Sequence, residues 1–367
     1  MRSEVKQLMS ASPDSPSYSF PEPGVIALFG SGERSPSGRK IFESIFQLIP
    51  DSPQVAILET PAGFELNSAQ VAEEIAEYLR HHFRNYDPQV VRIEARKRGT
   101  AFSPEDPQIV KQMLNANMIF MGPGSPTYAV KQLKSSLAWD YLVARHRLGA
   151  GLALASAATI AFSIYVLPVY EIYKVGEDIH WKEGLDFFGD YGLSLVFIPH
   201  WNNREGGKGL DTSRCFMGQT RIEFLFEMLP DTVTVVGIDE RTGLIIDLVA
   251  KSCRVIGEGV ITLLRQGNEK IFSKHQIFPV SELGEFRDPE PEAGISSGVW
   301  EMALKAHRSS QVIQKPPRDV LDMLQAREAA REDNNWVDAD LLKSKIEQLG
   351  WQISDTPNGP KIIKKGK

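Results

Sequence analysis

The chain lacks most of the features that would place it in a specialised class. Its 367 residues hold only two cysteines, Cys215 and Cys253, far apart and without metal-ligand spacing. That excludes a disulfide framework or a zinc motif and makes a reducing compartment the expectation. No apolar run approaches the roughly 20 residues that cross a bilayer, so no membrane partner is expected. Positive charge is not in excess: 41 Lys and Arg against 47 Asp and Glu leave a net charge of −6. This argues against a chain-wide nucleic-acid surface, though not against a local basic patch. Residues 1–22 are polar and rich in Ser and Pro, without the apolar core of a signal peptide, and read as a flexible leader on a cytoplasmic protein.

What is present is a run of short apolar segments alternating with helical patterns. Gly24-Val-Ile-Ala-Leu-Phe-Gly30, Val55 to Glu59, Val90 to Ile93 and Met118 to Met121 read as buried strands. Between them lie helical patterns around Ile41 and Ile45, over Asn67 to Phe83, and over Pro107 to Leu114. This alternation predicts an α/β fold with a mostly parallel, doubly wound sheet. Ligands of such sheets bind at the carboxyl ends of the strands.

Gly149-Ala-Gly-Leu-Ala-Leu-Ala-Ser156-Ala-Ala-Thr-Ile-Ala-Phe162 reads as a buried strand breaking straight into a helix. The turn residue of such an elbow is thrust out of the sheet, and its neighbours must be small. Ser156 is therefore the candidate nucleophile; the alternative is a buried serine in an Ala- and Gly-rich core segment. Leu193 to Pro199 predicts another strand, and His200 sits just past its end, placed for base duty. Val233 to Val236 predicts a further strand, ending in Gly237-Ile-Asp239-Glu240-Arg-Thr242. Either acid could orient an imidazole; the alternative is a solvated hairpin turn into Leu244-Ile-Ile246. Gly122-Pro-Gly124 offers backbone N–H groups for an oxyanion hole. Asp211 to Leu229 reads as one helix carrying Arg214 and Arg221. A serine needs a base and the base an orienting acid, so Ser156, His200 and Glu240 form a coherent set.

These residues resemble the aspartyl dipeptidase and cyanophycinase family of serine peptidases, whose fold is similar to class I glutamine amidotransferases. The likeness runs from about Val25 to Val280. The resemblance implies Ser156 as nucleophile, His200 as general base and Glu240 as the orienting acid, with Asp239 the rival acid. It implies oxyanion N–H groups from Gly124 or Gly122 and from Ala157, no cofactor or metal, and a small peptide or amino-acid-like substrate. Arg204, Arg214 and Arg221 are the candidates to bind an aspartyl carboxylate. Three positions depart from the family pattern. Leu154 and Ala158 replace elbow glycines, and Pro123, which has no N–H, replaces a loop glycine. Leu154 is expected to reshape the pocket, and Ala158 is costly only if its backbone is left-handed. The first alternative to a peptidase acting near an acidic residue is therefore a ligand-binding protein of the same fold that does not cleave.

Residues 281–317 are Pro- and acid-rich at first and read as a linker with a short helix over Gly298 to His307. Residues 318–367 read as a small C-terminal helical domain, a helical hairpin followed by a basic tail. Gln325-Ala-Arg327-Glu-Ala-Ala-Arg331, Trp336, Ala339-Asp340, Leu349-Gly350 and Asp355-Thr-Pro-Asn-Gly359 resemble the C-terminal segment of bacterial cysteinyl-tRNA synthetases. That resemblance implies a tRNA contact through Arg327, Arg331 and the tail lysines, which is the second alternative. A homo-oligomer is compatible with the sequence.

Overall fold

The computed structural model of the chain describes residues 22–49, 52–314, 316–333, 335–356 and 359–364. The leader up to residue 21 and the end of the basic tail, residues 365–367, lie outside the described residues, as do Pro357 and Asn358 of the synthetase-like motif. In chain order, β1 (Ile26–Phe29) leads to α1 (Pro36–Phe46), β2 (Gln54–Leu58) to α2 (Ser68–His82), and β3 (Gln89–Ile93) to a short α3 (Pro107–Val110). Next, β4 (Met118–Met121) leads to α4 (Pro126–Leu133) and α5 (Leu137–Arg147), and β5 (Gly151–Ala155) to α6 (Ala157–Ala161). A small antiparallel pair, β6 (Tyr165–Val166) with β7 (Lys182–Glu183), frames the aromatic-rich stretch. Then come β8 (Leu195–Ile198), α7 (Gly218–Glu227), β9 (Thr234–Ile238), β10 (Thr242–Asp247), β11 (Ser252–Gly257), β12 (Ile261–Arg265), β13 (Asn268–Phe272) and β14 (Ile277–Pro279). The last described elements are α8 (Ser297–Gln314), α9 (Arg318–Glu332), α10 (Trp336–Gln348) and the hairpin β15 (Trp351–Thr356) with β16 (Gly359–Lys364).

Eight strands form one sheet, in the order β14-β11-β10-β1-β5-β4-β2-β3. The five strands from β1 to β3 are parallel neighbours. They alternate strictly: Leu28, Leu152 and Leu154 enter one buried layer, Phe29, Ala153 and Ala155 the other. Helices cover both faces, as a parallel sheet requires. Their starts are written locally. Ser35 accepts from the Gly38 N–H ahead of Pro36, and Ser125 accepts from the Tyr128 N–H ahead of Pro126. Each such cap is worth about 1 kcal/mol.

The structure departs from the sequence reading in four places. A second sheet, β13-β12-β9-β8, joins the first, so the stretch after Ile238 is no hairpin: β9 and β10 lie in different sheets, and the chain changes sheet at residues 239–241. The predicted helix from Asp211 begins only at Gly218. The expected short helix in the linker is the 18-residue α8, which packs on α5 and buries Val299, Trp300 and Ala303 in the main core. The first part of the basic tail folds as a β-hairpin, and Trp351 and Ile353 pack with Val320 and Ile346 as a separate small core. No helix among the described residues is long and apolar enough to cross a membrane.

Candidate active site

Ser156 follows β5 directly, at φ 52 and ψ −110, and starts α6. A non-glycine residue held there stores of order 1–3 kcal/mol of strain. Thr159 Oγ1 donates to the Leu154 carbonyl at 2.7 Å and also lies 3.2 Å from the Phe29 carbonyl, tying the elbow together from beneath. Ala158 lies inside right-handed α6, so the strain falls on Ser156 and the expected penalty at Ala158 does not arise. Leu154 is fully buried in the main core.

His200, past β8, is also left-handed, at φ 52. Its N–H donates to the Gly30 carbonyl, and its carbonyl accepts from the N–H groups of Asn203 and Cys215. The ring stands between two side chains: Nε2 is 3.0 Å from Ser156 Oγ, and Nδ1 is 3.1 Å from Glu240 Oε1. An ionised carboxylate only accepts, so Nδ1 carries the proton and Nε2 keeps its lone pair for the serine hydroxyl. The hydrogen bond from His200 holds the Glu240 carboxyl below its ordinary range against partial burial, with a second bond from Asn203 helping.

Two asparagines that the sequence reading passed over complete this arrangement. Asn203 Nδ2 donates to Glu240 Oε1 at 2.8 Å, and Asn202 Oδ1 accepts the Glu240 N–H at 2.9 Å. They follow His200 by two and three residues, a placement that marks no role until the fold brings Glu240 onto them. Asp239 points elsewhere. Its carboxylate is buried and accepts the Val260 N–H at 2.9 Å, and burial raises its pKa. It makes no hydrogen bond to His200, and its carboxylate braces the turn through Val260.

The parallel pairing of β4 with β5, Met121 opposite Leu154, puts the loop from Gly122 to Ser125 beside the Ser156 elbow. Gly124 sits at φ 146, where a Cβ would lie 2.0 Å from the Pro61 carbonyl oxygen, and the Ser125 N–H donates to that same oxygen. The loop is thus pinned against Pro61, with Pro123 between the two candidate donors. The Ala157 N–H belongs to the first turn of α6, whose N–H groups have no intrahelical acceptor.

The three arginines separate. Arg204 is exposed on its loop and Arg221 half-buried on α7. Arg214 is half-buried and engaged: its guanidinium lies 4.0 Å over the Trp201 ring, and Nη1 donates to the Trp201 carbonyl at 3.0 Å. Both cysteines are free and buried. Among the described residues, no group of His, Cys, Asp and Glu could hold a metal ion.

No family model matches the chain. A solved peptidase from an acI-B1 Actinobacterium superposes with a TM-score of 0.56 at 20% identity, covering 70% of this chain and 97% of that one. A putative peptidase E protein of Listeria monocytogenes EGD-e gives a TM-score of 0.40 at 12% identity over 68% of this chain and 98% of its own. The fold, an α/β architecture around a large, largely parallel central sheet, matches the class I glutamine amidotransferase-like type expected from the sequence. In sequence, the chain is similar over short stretches to cysteine–tRNA ligases. It is 37% identical over 51 residues to that of Chlamydia felis, which is 14% of this chain and 11% of the ligase. It is 40% identical over 48 residues to that of Chlamydia abortus, which is 13% of this chain and 10% of the ligase. The chain thus spans about a tenth of the length of the curated relatives it matches.

Proposed function

We propose that the protein is a serine peptidase that cleaves a peptide or isopeptide bond near an acidic residue. The observation that carries this reading is the continuous line Ser156 Oγ, His200 Nε2, His200 Nδ1, Glu240 Oε1, with contacts of 3.0 and 3.1 Å. His200 takes the proton of the Ser156 hydroxyl as that oxygen attacks the scissile carbonyl. Glu240 fixes the imidazole tautomer and stabilises the imidazolium that forms. The Ala157 N–H, with Gly124 or Gly122, supports the negative oxygen of the tetrahedral intermediate. His200 then returns the proton to the leaving amine, and water repeats the cycle to release the acyl group from Ser156. The fold likeness to a solved peptidase favours this chemistry over other uses of the same fold.

The test is covalent labelling by a fluorophosphonate, which reports an activated serine whatever the natural substrate. Wild type should label, and Ser156→Ala and His200→Ala should not. A folded wild type that stays unlabelled would leave the non-cleaving ligand-binding protein as the better reading of this fold.

A second reading concerns the C-terminal segment, on the local similarity to cysteine–tRNA ligases. In it, the α9–α10 hairpin brings the chain to tRNA. Arg327 is not one of the phosphate contacts: it is buried and paired with Glu328 at 2.6 Å. Arg331, over the Trp336 ring, is the better-placed cation. A gel shift with tRNA that weakens as salt rises and disappears on truncation at residue 315 would support this reading; binding unaffected by that truncation would end it.

A further inference from the structure

The residues facing His200 from α7's leading loop have an unusual backbone. Arg214, Cys215 and Phe216 are successive non-glycine residues at φ 55, 56 and 67. A left-handed run of L-residues costs roughly 1–2 kcal/mol per residue, so other contacts must hold it in place. The Phe216 N–H bonds the Thr212 carbonyl and its ring packs on Tyr173, while the remaining contacts run to the histidine loop. The Arg214 N–H donates to the Trp201 carbonyl at 2.9 Å, and the Cys215 N–H to the His200 carbonyl at 3.2 Å. The Phe216 ring centroid lies 6.3 Å from that of His200. Arg214 adds its side chain, bonding the Trp201 carbonyl a second time and stacking on the indole. The indole in turn fills the space left by Gly237, where a Cβ would come within 2.4 Å of the ring.

We propose that Arg214 is a positioning residue for His200. Its guanidinium locks the left-handed turn 214–216 onto the His200–Trp201 backbone and so holds the imidazole between Ser156 and Glu240. A guanidinium suits this task because its planar face can stack while an edge N–H still donates, which an ammonium cannot do. With its face on Trp201 and an edge on a carbonyl, Arg214 is committed within the protein, unlike the exposed Arg204.

This inference rests on the reading of His200 as the base, so its test uses two readouts, only one of which needs catalysis. The first is the His200 tautomer, read from ring nitrogen shifts in full-length protein labelled at histidine. The second is the rate of labelling by a small uncharged fluorophosphonate. Wild type should show a single Nδ1–H tautomer. Arg214→Gly removes the side chain while relieving the φ of 55, so it should fold, with an unchanged circular dichroism spectrum. It should give a tautomer mixture and label at least tenfold more slowly, and Arg214→Lys should fall between. A folded Arg214→Gly protein with the wild-type tautomer and rate, weakened only toward acidic peptides, would make Arg214 a carboxylate-binding residue and overturn the proposal. A wild type already present as a tautomer mixture would overturn it as well. If Arg214→Gly did not fold, Arg214→Lys would decide, wild-type behaviour in both readouts again overturning the proposal. Failure of wild type to label would remove the peptidase reading and leave the tautomer comparison to decide on Arg214.

Discussion

Ser156 and His200 share a positive φ, 52 at each, and their side chains meet at 3.0 Å. They come from different sheets, Ser156 from the end of β5 and His200 from the end of β8. The end of β1 is their common anchor: the Phe29 carbonyl accepts the Ser156 N–H at 3.4 Å, and the Gly30 carbonyl accepts the His200 N–H at 3.1 Å. Both strained residues therefore hang from two consecutive peptide groups, and the joint between the sheets doubles as the frame of the candidate catalytic pair.

That frame makes Gly30 a sensitive position. A Cβ on Gly30 would lie 2.0 Å from the Asp239 carbonyl oxygen, so the backbone must move apart there. Gly30→Ala is expected to lose about 1–3 kcal/mol of stability and to slow fluorophosphonate labelling well beyond what the stability loss explains. Denaturant unfolding and labelling rate, measured on the same preparation, check both halves. A variant that labels at the wild-type rate would show that the two sheets can part at β1 without disturbing the pair.

The two adjacent acids should behave oppositely. Glu240→Gln keeps the shape but cannot hold an imidazolium or enforce its tautomer. Labelling should fall by about 10²–10⁴-fold, the scale of loss when a triad acid is neutralised, with the unfolding midpoint little changed. Asp239→Ala removes the acceptor of the Val260 N–H, at a cost of about 1–3 kcal/mol, and should label nearly normally once folded. If instead the Asp239 variant lost labelling and the Glu240 variant kept it, the assignment of the orienting acid would be reversed.

How legible this site was in the sequence depended on the range of the interactions. The strands ending at Phe29, Leu58, Met121 and Ala155 are apolar on both faces, and that pattern is local, so the parallel sheet could be read directly. Ser156, His200 and Glu240 each follow the end of a strand, which is a local signal, although those strands lie in two different sheets. Asn203 carries no pattern of its own; its role exists only because Glu240, 37 residues away, folds back onto it. The turn at Arg214 was misread as helix for a related reason. Arg, Cys and Phe have no local preference for a left-handed backbone, and contacts that hold it, those of the Arg214 and Cys215 N–H groups, go to the distant His200 loop. The sheet change at residues 239–241 was hidden in the same way: a polar turn looks alike whether the next strand pairs with the last one or crosses to another sheet.

The segment after β14 is a further case in which tertiary burial overrode composition, and it can be tested by stability. Trp300 on α8 is 9% exposed and packs in the main core, whereas Trp336 on α10 is 56% exposed. Trp300→Ala should cost about 3 kcal/mol or more, and Trp336→Ala about 1 kcal/mol or less. Equal midpoints for the two variants in urea would return α8 to the status of a linker.

The last expectation concerns a histidine remote from the site. His146 on α5 is completely buried, with Nε2 3.0 Å from the Tyr191 hydroxyl. Burial, reinforced by the charge of Arg147, pushes its pKa down to about 3 from the ordinary 6.5. Above pH 6.5 the imidazole is neutral in both the folded and the unfolded chain, so it contributes no pH dependence. Below pH 6.5 the unfolded chain takes up a proton that the folded protein refuses. Stability must then fall as pH drops from about 6.5 toward about 3, at about 1.4 kcal/mol per pH unit for this one group. His146→Gln keeps a hydrogen-bonding partner for Tyr191 but does not titrate. Unfolding free energies of wild type and His146→Gln between pH 7 and pH 4 should therefore diverge, the wild type falling more steeply, while every other group cancels between the two curves. Parallel curves would mean that the folded protein admits a proton at His146, which its complete burial in a Tyr191- and Phe187-lined pocket argues against.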